Sequence, residues 1–249
     1  MNGQVIVIWT QKGGTGKTTS AIAMAEHWAL ERGQPVLMID MDGQRTLSAI
    51  YGVKATDADS VCAALNGTRP IQRLTRQVGK NLFLVPASRG LYDWDYNERG
   101  IDALRRELDP VRGRVLTVID CGPAYSPGTK TALATGTCTV IPCPPTVQDL
   151  LALKELQVTY AEIQSEHIND RLIVAGVVLT QVRGRCRLHR AARAELQKAP
   201  FPLLQTSISQ SVHVQEAAGH GQSIIAYRPR HKVAGQYRAL CEEVSQCAA

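Results

Sequence analysis

The chain has 249 residues, of which 44% are hydrophobic and 20% are charged, a composition typical of folded globular proteins. No apolar run approaches the roughly 18 residues of a membrane-spanning helix, and the N-terminus lacks the charged and apolar regions of a secretory signal. The net charge of +6 favours polyanionic partners, whereas an aromatic content of 5% argues against recognition by base stacking.

Short apolar runs alternate with helical patterns along the chain. Strands are predicted at residues 5–9, 35–39, 82–85, 115–119, 138–141, 172–179 and 203–206. Helices are predicted at residues 18–32, 60–65, 98–108, 129–134, 147–166, 188–198 and 233–244. Continuous apolar strands indicate burial on both faces and hence a mostly parallel sheet. The pattern predicts an α/β fold with a doubly wound sheet flanked by helices. We expect one domain over residues 1–249, with no helix-turn-helix domain before it.

The segment after the first predicted strand is rich in glycine and carries two lysines. Its residues are Gln11, Lys12, Gly13, Gly14, Thr15, Gly16, Lys17, Thr18 and Thr19. Glycines let successive backbone N–H groups turn toward one anion, and the N-terminus of the following helix adds a partial positive charge. Lys17 is spaced to reach the β- and γ-phosphates of a nucleotide, and the Thr18 hydroxyl to bind Mg²⁺. Strand, loop and helix in this order predict a phosphate-binding loop.

This loop departs from the common pattern, because Gln11 stands where a glycine is usual and Lys12 is an additional lysine. It resembles the deviant Walker A motif of the ParA/MinD ATPases, and the chain resembles the ParA family over nearly its whole length. The resemblance implies ATP and Mg²⁺ as cofactors, with residues 12–19 as nucleotide contacts. It also implies an ATP-dependent homodimer in which Lys12 touches the partner subunit's nucleotide, so that Lys12 and Lys17 both act in catalysis.

Three aspartates are candidates for completing the site. Asp120 ends the fourth predicted strand, and an acid at that position beside a phosphate loop is the Walker B arrangement that holds Mg²⁺. Asp40 and Asp42 follow the second strand and resemble the family's Asp-x-Asp-x-Gln segment. The resemblance implies that Asp40 orients or activates the attacking water and that Asp42 supports the metal shell. Relatives often carry proline where Gly43 stands, so a more mobile loop is expected here.

Later segments add a nucleotide contact and a basic surface. Residues 178–183 resemble the family's strand-to-loop segment near the adenine, which implies Gln181 as a contact. An arginine cluster without acidic residues follows; its members are Arg183, Arg185, Arg187, Arg190 and Arg193. Basic residues in this region of ParA relatives bind DNA without sequence preference, and guanidinium groups match phosphate geometry. We expect Arg183, Arg185, Arg187 and Arg190 to contact DNA; a merely solvated surface is the alternative.

The resemblance implies a cytoplasmic partitioning ATPase with slow, switch-type turnover. An ATP-bound sandwich dimer would coat the nucleoid, and a ParB-like or other small adaptor would stimulate hydrolysis and release it. The cargo would be a plasmid, a chromosome or another body.

Three other classes stay open. A MinD-like membrane switch would need a basic amphipathic helix at the C-terminus, where this chain is acidic and then rich in small residues. An iron–sulfur ATPase would need paired cysteines, for which Cys121 and Cys138 are the candidates, although the seven cysteines form no CxxC pair and favour free thiols. A metabolic ATPase would need a separate substrate pocket.

Overall fold

The computed structural model describes residues 1, 3–95, 99–183, 193, 196 and 201–247. Its strands are β1 Val5–Ile8, β2 Val36–Met41, β3 Arg76–Gly79, β4 Leu82–Val85, β5 Leu116–Cys121, β6 Cys138–Cys143, β7 Ile173–Val182 and β8 Leu203–Ser209. Its helices are α1 Lys17–Glu26, α2 Thr46–Ile50, α3 Val61–Leu65, α4 Ile71–Leu74, α5 Ala103–Leu108, α6 Pro127–Thr135, α7 Val147–Ser165, α8 Val212–Gly219, α9 Ile224–Tyr227 and α10 Lys232–Cys247.

All eight strands belong to one sheet, in the order β3-β4-β2-β5-β1-β6-β7-β8. Every neighbouring pair is parallel except β3 and β4, which are antiparallel. The predicted α/β class with a mostly parallel sheet is therefore confirmed. Strand β3 was not predicted, because an edge strand that begins with the exposed residues Arg76 and Gln77 has no apolar run to reveal it.

The sheet separates two hydrophobic layers. Successive residues of β1 point to opposite faces, so that Val7 packs in one layer and Ile8 in the other. Helices α3, α5, α6 and α7 cover the first face. Helices α1 and α10 cover the second. Burial on both faces explains why the central strands read as continuous apolar runs.

The predicted helix over residues 18–32 is realised in two parts. Regular α-helix ends at Glu26, and a π-helical segment His27–Glu31 continues it. Gly33 then adopts a φ of +68°, the left-handed conformation expected of a residue just past a helix end. The predicted helix at residues 188–198 lies almost wholly outside the described residues.

The topology brings three strand ends to one edge of the sheet. Strand β5 lies between β1 and β2, with Ile8 and Asp40 both in register with Asp120. The segment after β1 and the acids of β2 and β5 therefore meet at the carboxyl ends of parallel strands, where α/β folds bind ligands.

Candidate nucleotide-binding site

The glycine-rich loop connects β1 directly to the N-terminus of α1. Gly14 and Gly16 have φ values of +72° and +93°, which residues with a Cβ rarely adopt. Gly16 also caps α1, and among the described residues no side-chain cap hydrogen bond is made to the N–H groups in the first turn of this helix. These donors and the helix dipole make the loop a ready anion site.

Lys17 is folded into the loop. Its side chain is 8% exposed, and Nζ donates to the carbonyl of Lys12 at 2.6 Å. Burial lowers the pKa of the Lys17 ammonium, while the carboxylates of Asp120 and Asp42 oppose that shift. The hydrogen bond to Lys12 therefore keeps the ammonium inside its own loop.

Lys12 instead reaches outward to α7. Its Nζ lies 2.6 Å from Oδ1 of Asp149 in an ion pair that lacks the alignment of a hydrogen bond, and its side chain is 34% exposed. Asp149 is 5% exposed in the first turn of α7, and its backbone N–H is capped by Thr146. The pairing of Lys12 with Asp149 was missed from sequence, although the Thr-x-x-Asp spacing is a helix-start signal.

Asp40 is a fully buried carboxylate with several donors. Oδ2 accepts from the backbone N–H and the hydroxyl of Ser48, at 2.8 Å and 2.6 Å, and Oδ1 accepts from the N–H of Asp42 at 3.1 Å. Burial raises the pKa of Asp40 to about 6, although the Ser48 hydrogen bonds oppose the rise. The Ser48 hydroxyl also accepts from the N–H of Ala87, which fixes it in place. Sequence reasoning placed no role on Ser48.

Asp120 lies beside Asp40 but has no such donors. It is 1% exposed, and neither carboxylate oxygen has a hydrogen-bond partner among the described residues. Burial and the neighbouring Asp40 raise the pKa of Asp120 well above its usual value. The Thr18 side chain moderates that rise without reaching hydrogen-bond geometry. Orphaned carboxylate oxygens below a phosphate loop fit a hydrated Mg²⁺, whose preferred ligands are oxygens.

The loop after β2 contains a hydrogen bond from its own backbone, and glycines at two nearby positions leave room for neighbouring side chains. Asp42 accepts from the N–H of Gln44 at 2.9 Å, and a Cβ at Gly122 would lie 3.0 Å from its carboxylate. A Cβ at Gly43 would lie 2.9 Å from the ring of Tyr92, so glycine at that position makes room for the aromatic side chain. The greater mobility expected for this loop stays a prediction.

The end of β7 forms one wall of a cavity of about 810 Å³ that opens beside the loop. Gln181 lines it and donates from Nε2 to the carbonyl of Gly14 at 2.6 Å. Thr180, which sequence reasoning missed, donates to the carbonyl of Thr15 at 2.8 Å. The volume lies within the range of small-molecule sites.

Of the predicted DNA contacts, only Arg183 lies within the described residues. It is exposed, and its Nε donates to Oε1 of Gln210 at 2.6 Å. Arg185, Arg187 and Arg190 lie outside them. A second group of basic residues, Arg228, Arg230 and Lys232, is exposed to solvent.

The cysteines proposed for a cluster do not face each other. Cys121 packs in the layer on one face of the sheet and Cys138 in the layer on the other. No group of three or more His, Cys, Asp or Glu side chains suited to a metal ion occurs in the described part of the chain.

A mostly parallel sheet whose first strand leads through a glycine-rich, two-lysine loop into a helix defines a P-loop nucleotide hydrolase. A profile of the AAA_31 family, described as an AAA domain, matches residues 3–174. The chromosome-partitioning ATPase Soj of Thermus thermophilus is 32% identical over 241 residues, covering 96% of this chain and 94% of that protein. The chain belongs to the ParA family of ATPases and hydrolyses ATP.

Two solved structures show how widely this fold is shared. A Cyanothece McdA variant in complex with ATP is 18% identical with a TM-score of 0.86, over 98% of this chain and 97% of that one. Cobyrinic acid a,c-diamide synthase from Mycobacterium smegmatis, with an ATP analogue and magnesium, is 22% identical with a TM-score of 0.83, over 96% and 92%. The McdA variant and the synthase thus share the fold, and the family assignment rests on sequence.

Proposed function

We propose that this protein is a partitioning ATPase whose ATP-bound sandwich dimer binds DNA non-specifically and releases it after hydrolysis. The observation that carries the proposal is the divergent placement of the loop's two lysines. Lys17 is buried in its own loop, whereas Lys12 points out to the start of α7. A lysine that serves only its own nucleotide has no need of that outward position.

In the proposed cycle, Lys12 leaves Asp149 when ATP binds and contacts the nucleotide of the partner subunit. The ion pair has one partly exposed member, so breaking it costs little compared with a contact to a phosphate. Hydrolysis removes the γ-phosphate, weakens the cross-subunit contact, and returns Lys12 to Asp149.

The proposed catalytic set is Lys12, Lys17 and Asp40. Lys17 and Lys12 would neutralise phosphate charge, which is the main requirement of phosphoryl transfer. Asp40 would accept a hydrogen bond from the attacking water at Oδ1, which holds one donor and has room for a second, whereas Oδ2 already holds two. Thr18, Asp42 and Asp120 would hold Mg²⁺, which supplies further charge neutralisation when bound.

The proposed DNA contacts are Arg183, Arg185, Arg187 and Arg190 of the arginine cluster, of which Arg183 lies within the described residues. The chain's net positive charge and the partitioning relative support this assignment. A ParB-like or other small adaptor would trigger hydrolysis at the dimer, and the bound form would associate with the nucleoid. The cargo would be a plasmid, a chromosome or another body.

The membrane-switch alternative receives little support. The apolar face of α10, including Val233, Tyr237 and Leu240, packs into the core and is not available to a lipid surface. No helix in the described part of the chain is both long and apolar enough to cross a membrane.

The proposal is tested by electrophoretic mobility shift of DNA with ATP, ADP or no nucleotide, at low and high salt. We expect binding only with ATP, indifferent to sequence and lost at high salt, as phosphate contacts require. Light scattering should show dimers under the same ATP condition. A different result would be no nucleotide-dependent DNA binding together with an ATP turnover that depends on a small acid or amine. That result would point to a metabolic enzyme.

A further inference from the structure

Strand β7 ends in two residues whose side chains reach the phosphate loop. Thr180 donates from Oγ1 to the carbonyl of Thr15 at 2.8 Å, and Gln181 donates from Nε2 to the carbonyl of Gly14 at 2.6 Å. Thr180 is 2% exposed. A strand more than 160 residues away in sequence thus holds two consecutive peptide groups of the loop.

A hydrogen bond that fixes the carbonyl of one residue also fixes the direction of the next residue's N–H group. Because a trans peptide is planar, the C=O of one residue and the N–H of the next point in opposite directions. The bond from Thr180 to Thr15 therefore turns the N–H of Gly16 away from β7, and the bond from Gln181 to Gly14 does the same for the N–H of Thr15. Such N–H groups are the donors that a glycine-rich loop offers to phosphate.

The backbone at this contact adopts uncommon conformations on both sides. Gly16 has a φ of +93°, and Gln181, although not a glycine, has a φ of +55°. Left-handed residues with a side chain persist where their surroundings fix them, and they concentrate at functional sites. At Gln181 the surroundings include the hydrogen bond to Gly14.

We propose that Thr180 is a positioning residue for nucleotide binding, which holds the Thr15 peptide group so that the Gly16 N–H faces the phosphates, and that Gln181 does the same one peptide earlier. The loop is then oriented before the nucleotide arrives, and less ordering is needed on binding. This inference concerns nucleotide affinity. It rests on the ATPase activity and not on the proposed DNA cycle.

The competing explanation is that the Thr180 hydroxyl only satisfies a buried carbonyl. Thr139 provides a control on the neighbouring strand, because it is fully buried on β6 and its Oγ1 donates to the carbonyl of Val7 at 3.1 Å, in addition to a bond of 2.9 Å with the Tyr160 hydroxyl. Thr180→Val and Thr139→Val make the same chemical change, and only the first removes a bond to the phosphate loop.

The experiment is a fluorescence titration of ADP and ATP, both as their methylanthraniloyl derivatives with Mg²⁺ and without DNA. We expect Thr180→Val to bind both about fivefold more weakly, the effect of losing one net hydrogen bond. Thr180→Ser keeps the hydroxyl and should stay within about twofold of wild type, as should Thr139→Val. Urea unfolding without nucleotide should show a loss for Thr139→Val at least as large as that for Thr180→Val, because Thr139 also bonds the Tyr160 hydroxyl.

Wild-type affinity in a folded Thr180→Val protein, or an equal loss in Thr139→Val, would overturn the inference. If Thr180→Val does not fold, Gln181→Leu at an exposed position tests the same idea, and normal ADP binding by that variant overturns it. If the wild-type protein binds ADP but does not bind DNA with any nucleotide, the proposed partitioning function is wrong. The comparison of Thr180→Val with Thr139→Val still tests the present inference in that case.

Discussion

Strands β2 and β5 end side by side, each with a buried aspartate at the same level of the sheet, but the two carboxylates differ in their surroundings. Asp40 accepts three hydrogen bonds from Ser48 and Asp42. Asp120 accepts none among the described residues. One carboxylate is fixed in orientation by neighbouring hydrogen-bond donors, and the other has none among the described residues. This difference matches the two proposed roles, in which Asp40 holds a water and Asp120 helps to hold a cation.

Asp120→Asn is the strongest test of that division. Removing the carboxylate should lower Mg²⁺-dependent ATP turnover by about a thousandfold, because a metal supplies several kcal/mol of charge stabilisation. The same change should raise the free energy of unfolding without metal at pH values above the raised pKa of Asp120, where the wild-type carboxylate is a buried anion without donors among the described residues. Steady-state turnover and urea unfolding measure the two effects, and a variant that loses stability and keeps turnover would reverse the assignment.

The pH dependence of stability reports on Asp40 and on its interaction with Asp120. Its pKa is raised to about 6 in the folded protein, from an ordinary value of 3.8, so the folded state binds more protons between those values. The extra proton binding by Asp40 makes its full contribution to the free energy of unfolding below pH 4. That contribution, at most about 3 kcal/mol, is lost as the pH rises through 6. Metal-free wild type should therefore lose stability relative to Asp40→Asn between pH 4 and pH 7. Parallel curves for the two proteins would show that Asp40 does not titrate in this range.

Asp40→Ala tests the water-positioning role. ATP affinity should stay near the wild-type value, while single-turnover hydrolysis should slow by about a hundredfold, the typical contribution of a general base. The ATP-bound dimer should consequently accumulate on DNA. Normal hydrolysis by this variant would remove Asp40 from the catalytic set.

Ser48→Ala tests whether the donors of Asp40 matter. Loss of a hydrogen bond to a carboxylate should slow hydrolysis by about tenfold and leave nucleotide affinity unchanged. Ser48→Thr restores a hydroxyl and should recover part of the rate. Ser60→Ala is the control, since Ser60 is equally buried and bonds to Ser88 rather than to Asp40.

Asp149→Asn gives the smallest expected effect. Releasing Lys12 should strengthen ATP-dependent dimerisation by about twofold to fivefold, as befits a partly exposed ion pair. Light scattering across a concentration series measures it. In a Lys12→Ala background the same substitution should change nothing, and an effect there would mean that Asp149 acts through α7 rather than through Lys12.

The sequence predicted what depends on local pattern. Continuous apolar runs predicted the parallel strands, and glycine spacing predicted the phosphate loop. The acids at the ends of β2 and β5 were placed by their positions after strands.

Contacts between distant segments could not be predicted in this way. Ser48, Thr180 and Asp149 act on the loop or its acids through hydrogen bonds or an ion pair set by the packing of the sheet. Serine and threonine are common in every environment, so residue type carries little information about such contacts. Strand β3 was missed for a related reason, because it gains its conformation by pairing with β4.

The residue that ends the first apolar run has an optical consequence. Trp9 is fully buried directly before the phosphate loop, with its ring centroid 5.6 Å from that of Tyr125 and 6.0 Å from that of Tyr160. Its indole Nε1 has no hydrogen-bond partner among the described residues. A buried indole without a hydrogen-bond partner emits at short wavelength. Tyr125 lies in the segment that follows β5, the strand that carries Asp120. A rearrangement of that segment would therefore change the surroundings of Trp9. Trp9 thus gives the protein a built-in fluorophore at the base of its nucleotide loop.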